Sequence, residues 1–222
     1  MATADPDTHG LLALPADVSA RLDQAAEVLA GLVPGERLVV GLTSCHHGAG
    51  TSSMAWYFAR ALAATRRHPV GLVEANLRSP GFARLLELRA APGWSELLAG
   101  QADMDAVVQQ VPGQDLSVIT AGSIGFDGMP GVSRDALAQA VQRVRERFPA
   151  VIFDAPPLLP YLDTVALARN LDGMVLVLYA EHDKRHVVQT GVRMLEGAGA
   201  RLLGAILNRK PLFIPKWLYA LL

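Results

Sequence analysis

Apolar positions along the chain gather into short unbroken runs, with helically spaced or polar segments between them. Leu38 to Thr43, Val70 to Ala75, Leu116 to Thr120, Ala150 to Asp154, Asp172 to Tyr179 and Arg201 to Leu207 are the runs. Runs of this length without alternation suit strands buried on both faces. Asp17 to Leu32 carries Val18, Leu22, Ala25, Ala26 and Leu29 at helical spacing and stops at Pro34-Gly35. After the first run, Met54, Phe58 and Leu62 recur at i, i+4 and i+8. Ser133 is placed to cap a helix whose apolar face is Leu137, Val141, Val144 and Phe148, with Arg143, Arg145, Glu146 and Arg147 on a solvated face. A further helix is expected from His182 to Ala198, and short ones over Ser79 to Leu88, Gly93 to Gly100 and Asp103 to Val111. Residues 121–133, with four glycines and a proline, read as a mobile loop. Strands alternating with helices predict a three-layer α/β fold around a mostly parallel central sheet.

The junction of the first strand and its helix, Arg37 to Leu62, organises the rest. Gly48-Ala49-Gly50 lies between them, so backbone N–H groups and the positive end of a helix dipole converge there, which suits a phosphate chain. This is the scaffold of a P-loop. That motif also needs a lysine after the second glycine and then Ser or Thr for magnesium. Here Thr51 and Ser52 follow, so the magnesium hydroxyl is present and the lysine is not. A ligand-free capping loop is the other reading, because Thr51, Ser52 and Ser53 are all N-cap residues.

The second strand ends in Glu74, Asn76 and Arg78, then Ser79-Pro80. In a parallel sheet the carboxyl ends of strands face the ligand crevice, although such residues are also ordinary turn formers. Asp154, at the tip of another strand, has the position of a Walker B carboxylate that holds magnesium through water.

With 222 residues, half of them hydrophobic, the chain has the length of a single domain. We expect a flexible lead over 1–16, one α/β domain over 17–209 and an apolar C-terminal tail over 210–222. A net charge of -1 offers no basic excess for nucleic acid. The six histidines are not spaced as metal ligands outside His46-His47. The single cysteine, Cys45, forms no internal disulfide, which together with the lack of a signal peptide suits a cytoplasmic setting. A helix N-terminus would lower its thiol pKa, though most loop cysteines are inert. No apolar run reaches the roughly 18 to 20 residues that span a bilayer.

Six blocks in order carry a family resemblance: Thr43-Ser44 with Gly48 to Gly50, Leu72 to Pro80, Gly93 to Gly100, Val151 to Pro157, Asp172-Gly173 and Leu203 to Arg209. Together they resemble the cytoplasmic domain of the bacterial tyrosine autokinases of polysaccharide export (BY-kinases), relatives of the partition-type ATPases. The resemblance covers Leu38 to Arg209. It implies a P-loop NTPase-like fold that binds ATP or ADP with magnesium, and a membrane-embedded polysaccharide co-polymerase or another export-machinery subunit as partner at the inner face of the cell membrane. Of the motif residues it implies, this chain keeps Gly48, Gly50, Ser52, Asp154 and Asn208, the last as an adenine contact. With Ala49, Thr51 and Ser53 these make the expected nucleotide site, Ser52 and Asp154 holding magnesium if nucleotide binds. The P-loop lysine is Thr51. The second-strand Asp-x-Asp motif is Glu74 and Asn76. An oligomerisation helix with the pattern Glu-x2-Arg-x2-Arg falls on Asp17, Ala20 and Asp23 or on Val18, Arg21 and Gln24. A C-terminal tyrosine cluster is reduced to Tyr219.

These losses fall on chemistry, so the expectation is a degenerate pseudokinase with no cofactor and with Glu74, Asn76 and Asp154 as vestiges of the active site. An active magnesium-dependent ATPase or kinase and a partition-type positioning ATPase are the alternatives. Self-association, and membrane contact through the apolar tail, stay open.

Overall fold

A computed structural model describes residues 16–33, 35, 37–65, 69–123 and 132–209. The lead over 1–15, residues 124–131 of the glycine-rich segment and the tail over 210–222 lie outside the described residues. The elements are α1 (Ala16–Leu32), β1 (Leu38–Ser44), α2 (Thr51–Thr65), β2 (Val70–Glu74), α3 (Phe82–Leu85), α4 (Trp94–Leu98), α5 (Met104–Val107), β3 (Gln109–Gln110), β4 (Leu116–Ile119), α6 (Arg134–Arg147), β5 (Ala150–Asp154), α7 (Asp163–Ala168), β6 (Gly173–Tyr179), α8 (Arg185–Gly197) and β7 (Leu202–Asn208).

The sheet runs β3-β4-β2-β5-β1-β6-β7 and is parallel except where β3 meets β4. Alternate residues of each central strand feed opposite layers, as the period of two requires. Leu38, Val40 and Leu42 of β1 and Ile152 of β5 pack with Ala26 and Leu29 of α1 and with Trp56, Phe58 and Leu62 of α2. Val39, Val151 and Phe153 pack on the other side with Trp94 of α4, Val141 and Val144 of α6 and Leu195 of α8. Two apolar layers therefore lie against one sheet, the three-layer α/β arrangement that the alternation of elements predicts.

Several boundaries differ from the sequence reading, each for a local reason. Thr51, Ser52 and Ser53 do not cap α2. They form its first turn, and the Met54 N–H bonds to the Gly50 carbonyl. Asp103 to Val111 is not one helix: Asp103 caps α5 by accepting from the Ala106 N–H, and the chain then extends into β3. The helix expected from His182 starts at Arg185, because the Asp183 carboxylate accepts from the Tyr179 N–H and holds a turn there. Of the expected helix from Ser79 to Leu88 only Phe82–Leu85 is helical. Helix α7 follows a proline-rich stretch that gave no helical signal.

Strand β7 was expected to be buried, yet much of it is exposed, Leu207 at 60%. Among the described residues it forms an edge of the sheet, with β6 as its one strand neighbour. The outward face expected of α6 is also incomplete, since Arg145 donates to both oxygens of Asp172, at 2.8 and 3.0 Å, and to the Asn170 carbonyl.

Candidate functional site

The carboxyl ends of β1, β2 and β5 meet at one edge of the sheet. Pairing sets Leu42 opposite Asp154 and Asp154 opposite Glu74, so two acidic residues end adjacent strands. The loop after β1 turns with Gly48 and Gly50 both at φ +82°, a region that favours glycine. α2 then starts at Thr51 with its N-terminus towards the acidic pair. The segment after β5 is fastened to β1, because Thr43 Oγ donates to the Pro156 carbonyl at 2.8 Å and the Leu158 N–H to the Ser44 carbonyl at 2.8 Å.

Between the loop and α3 lies a cleft of about 240 Å³, lined by His47, Gly50, Thr51, Ser52, Asn76 and Arg84 among others. Asp154 is buried behind it, hydrogen-bonded with Ser52, while its Oδ1 has no protein partner. Burial raises its carboxyl to about 8; the Ser52 hydrogen bond opposes the rise and the charge of Glu74 adds to it. Asn76 is 8% exposed and its Oδ1 is also unpartnered. Unpaired buried acceptors mark a place where a donor or cation is accommodated.

Glu74 is placed differently from a free carboxylate. One oxygen accepts from the Gly81 N–H and, at 2.8 Å, from the Phe82 N–H, and the other accepts from the Ala121 N–H at 3.0 Å. Burial raises its pKa and these three bonds oppose the rise. Its carboxylate thus ties the start of α3 and the exit of β4 to the end of β2.

Asn208 and the glycine loop lie together. Asn208, at the end of β7, donates from Nδ2 to the Ala49 carbonyl at 2.8 Å. A Cβ on Gly50 would stand 2.5 Å from that Nδ2 and 3.9 Å from Nε of Arg209, so glycine is needed for this approach. Ala49 itself is buried in the layer beneath, so it enters the site through its backbone alone. Ser52 and Asp154 form a donor pair that fits one magnesium ion, and no group of three or more His, Cys, Asp or Glu suited to a metal occurs among the described residues. Position 51 offers a neutral hydroxyl where a phosphate-binding cation is required. The fit to a nucleotide is partial: the loop, Ser52, Asp154 and Asn208 are in place, and the lysine is not.

Cys45 is buried, and its thiol is raised to about 11 by burial and by the charge of Asp183, the opposite of what a helix N-terminus would do.

Arg84, Tyr161, Asp163 and Glu96 lie near the site without having been among the candidate residues of the sequence. Arg84 lines the cleft from α3. The Arg78 guanidinium lies 3.9 Å from the centre of the Tyr161 ring and 3.2 Å from Asp163, and His47 meets the Tyr161 hydroxyl at 3.3 Å. Glu96 of α4 accepts from the N–H groups of Gly93 and Ser123 and from the hydroxyls of Ser95 and Ser123. Only Glu96 carried a hint, three residues after Gly93 at a helix start, the spacing of a capping box.

No family model matches the chain. It is 25% identical over 175 residues to the tyrosine-protein kinase CpsD of Streptococcus agalactiae, covering 78% of this chain and 76% of that protein. It is 29% identical over 173 residues to the tyrosine-protein kinase YwqD of Bacillus subtilis, covering 78% and 73%. Among solved structures, the VpsO kinase domain superposes with a TM-score of 0.71 at 28% identity, over 88% of this chain and 98% of that one.

Proposed function

We propose that this chain, a homologue in the bacterial tyrosine autokinase family, does not phosphorylate tyrosine and serves as an interaction or regulatory component of bacterial exopolysaccharide or capsule assembly. The observation that carries this reading is the commitment of Glu74. Phosphoryl transfer works by positioning and charge neutralisation, so a site depends on its cation and its carboxylates. Thr51 brings no cation, Asn76 accepts no proton as a carboxylate does, and both oxygens of Glu74 are held by three backbone N–H groups. Asp154 is the one carboxylate of the three positions with an unused oxygen.

Bound magnesium would supply neutralisation of phosphate charge, and Ser52 with Asp154 would hold it. Asp154 must first release a proton that burial retains to about pH 8. The partner consistent with this reading is a membrane-embedded polysaccharide co-polymerase or another subunit of the export machinery, met at the inner face of the cell membrane. No helix among the described residues is long and apolar enough to cross a membrane.

The test is calorimetry and thermal unfolding with Mg-ATP and Mg-ADP, alongside a phosphate-release assay. We expect phosphate release equal to the buffer blank, and stabilisation well below the roughly 2.7 kcal/mol that ligand at a hundred times its Kd produces. Micromolar binding with turnover abolished by Asp154→Ala would overturn the proposal.

A further inference from the structure

Away from the cleft, α1 and the outer strand β7 bound an apolar groove of about 380 Å³, lined by Val28, Leu29, Leu32, Phe58, Leu203 and Ile206, with Arg21 and Gln24 on its α1 side. Val28 is 57% exposed and Leu32 41%, unusual for two apolar residues of one amphipathic helix. β7 has no sheet neighbour beyond it among the described residues, so its outer N–H and C=O groups lie beside the groove. Free sheet edges next to apolar surface are normally covered.

We infer that residues 210–222 of the same chain lie along the free edge of β7 and fill this groove. Three observations select that occupant. The segment starts just past the groove, because it follows Arg209 directly and Ile206 of the same strand lines the groove, and Arg209, at φ +54°, breaks the extended path of β7. It is long enough: thirteen residues extend up to about 43 Å, and a seven-residue strand is about 23 Å long.

Its chemistry matches as well. Leu212, Phe213, Ile214, Trp217, Leu218, Tyr219, Leu221 and Leu222 supply the apolar surface that the groove lacks. Pro211 and Pro215 are four residues apart, so in a strand their missing N–H groups fall on the same side, and Leu212 and Ile214 between them pair through the other side. That is the pattern of an edge strand. A second copy of the chain is the rival occupant. It is disfavoured because a tethered segment acts at about millimolar effective concentration.

The full chain with p-benzoylphenylalanine in place of Val28, an exposed position, tests this by photolysis and peptide mass spectrometry. A second chain carries the same probe in place of Gln142, which is exposed on α6. We expect adducts from position 28 to residues 212–222 of the same chain, with a yield unchanged between about 1 and 100 µM protein, since the local concentration of the segment is set by its tether. The yield should fall when Leu218→Asp is added, and position 142 should give no such adduct. Adducts between chains that grow with concentration would assign the groove to a second copy and overturn the inference. It is equally overturned by equal yields from positions 28 and 142, or by no adduct from position 28 to this segment.

Discussion

Asn208 and Ala49, 159 residues apart, are joined by a 2.8 Å hydrogen bond from the Asn208 side chain to the Ala49 carbonyl. The last residue of β7 thereby closes the glycine loop on the side away from the acidic pair. Gly50 has no side chain to obstruct the contact.

Asn208→Ala should release the loop. A partly buried hydrogen bond contributes about 1 kcal/mol, so a fall in Tm of about 2 to 4 °C is expected for a domain of this size. Amide exchange at Gly48 to Ser52 should accelerate while exchange in β5 stays unchanged. An unaltered loop would show that the bond holds nothing in place.

Glu74→Asp separates a structural carboxylate from a catalytic one. The side chain loses a methylene and no longer reaches Gly81, Phe82 and Ala121 together, so about 2 kcal/mol of stability should be lost. In a kinase site the same change would bring the second-strand motif closer to its usual form. Nucleotide turnover that rises in the variant would contradict the role given to Glu74.

Thr51→Lys restores the missing cation to a loop whose glycines, Ser52 and Asp154 are in place. A charge-assisted contact contributes about 1.5 to 3 kcal/mol, so Mg-ADP affinity should rise by about tenfold to a hundredfold by calorimetry. Turnover should stay at the blank level while Asn76 and the bound Glu74 are unchanged.

Asp154 gives the fold a pH dependence of defined sign. Its carboxyl rises from 3.8 in the unfolded chain to about 8 in the folded one. The stabilisation from its neutral form is complete below 3.8 and disappears as pH rises through 8. Asp154→Asn should therefore raise Tm near pH 8, with the advantage shrinking towards pH 4. Thermal unfolding across that range measures it, and a constant difference between the two proteins would argue against a retained proton.

Glu96 works in the opposite direction. Burial raises its carboxyl, but the hydrogen bonds from Ser123 and Gly93 outweigh burial and leave it at about 2, against 4.5 when unfolded. Its stabilisation is complete above 4.5 and is lost as pH falls through 2. Glu96→Gln should cost about 2 to 3 kcal/mol at pH 7, the cost vanishing towards pH 2. Equal acid-unfolding curves for the two proteins would show that these bonds stabilise nothing.

Elements buried in the sheet were legible in the sequence, because a parallel strand covered on both faces must be apolar without interruption. That signal located β1, β2, β4, β5 and β6; an apolar run also marked β7, although much of that strand is exposed, and helical spacing located α1, α2 and α6. It did not locate α7 or the two-residue β3. Both are short, and what holds them is contact with a neighbouring segment rather than periodicity of their own: Thr164 of α7 donates to the Pro156 carbonyl, and β3 pairs with β4.

At the site, local sequence determined the glycine loop, the hydroxyl at 52 and the strand-end residues Glu74, Asn76 and Asp154, because each depends only on its position in one strand–loop–helix unit. The availability of those groups was decided by the tertiary structure alone. Glu74 is occupied because Gly81, Phe82 and Ala121 are folded onto it. Asp154 retains its proton because both layers exclude water from it, and Asn208 reaches Ala49 because β7 lies beside β6. A carboxylate's reactivity depends on which donors and how much water surround it in space, and spacing along the chain carries neither.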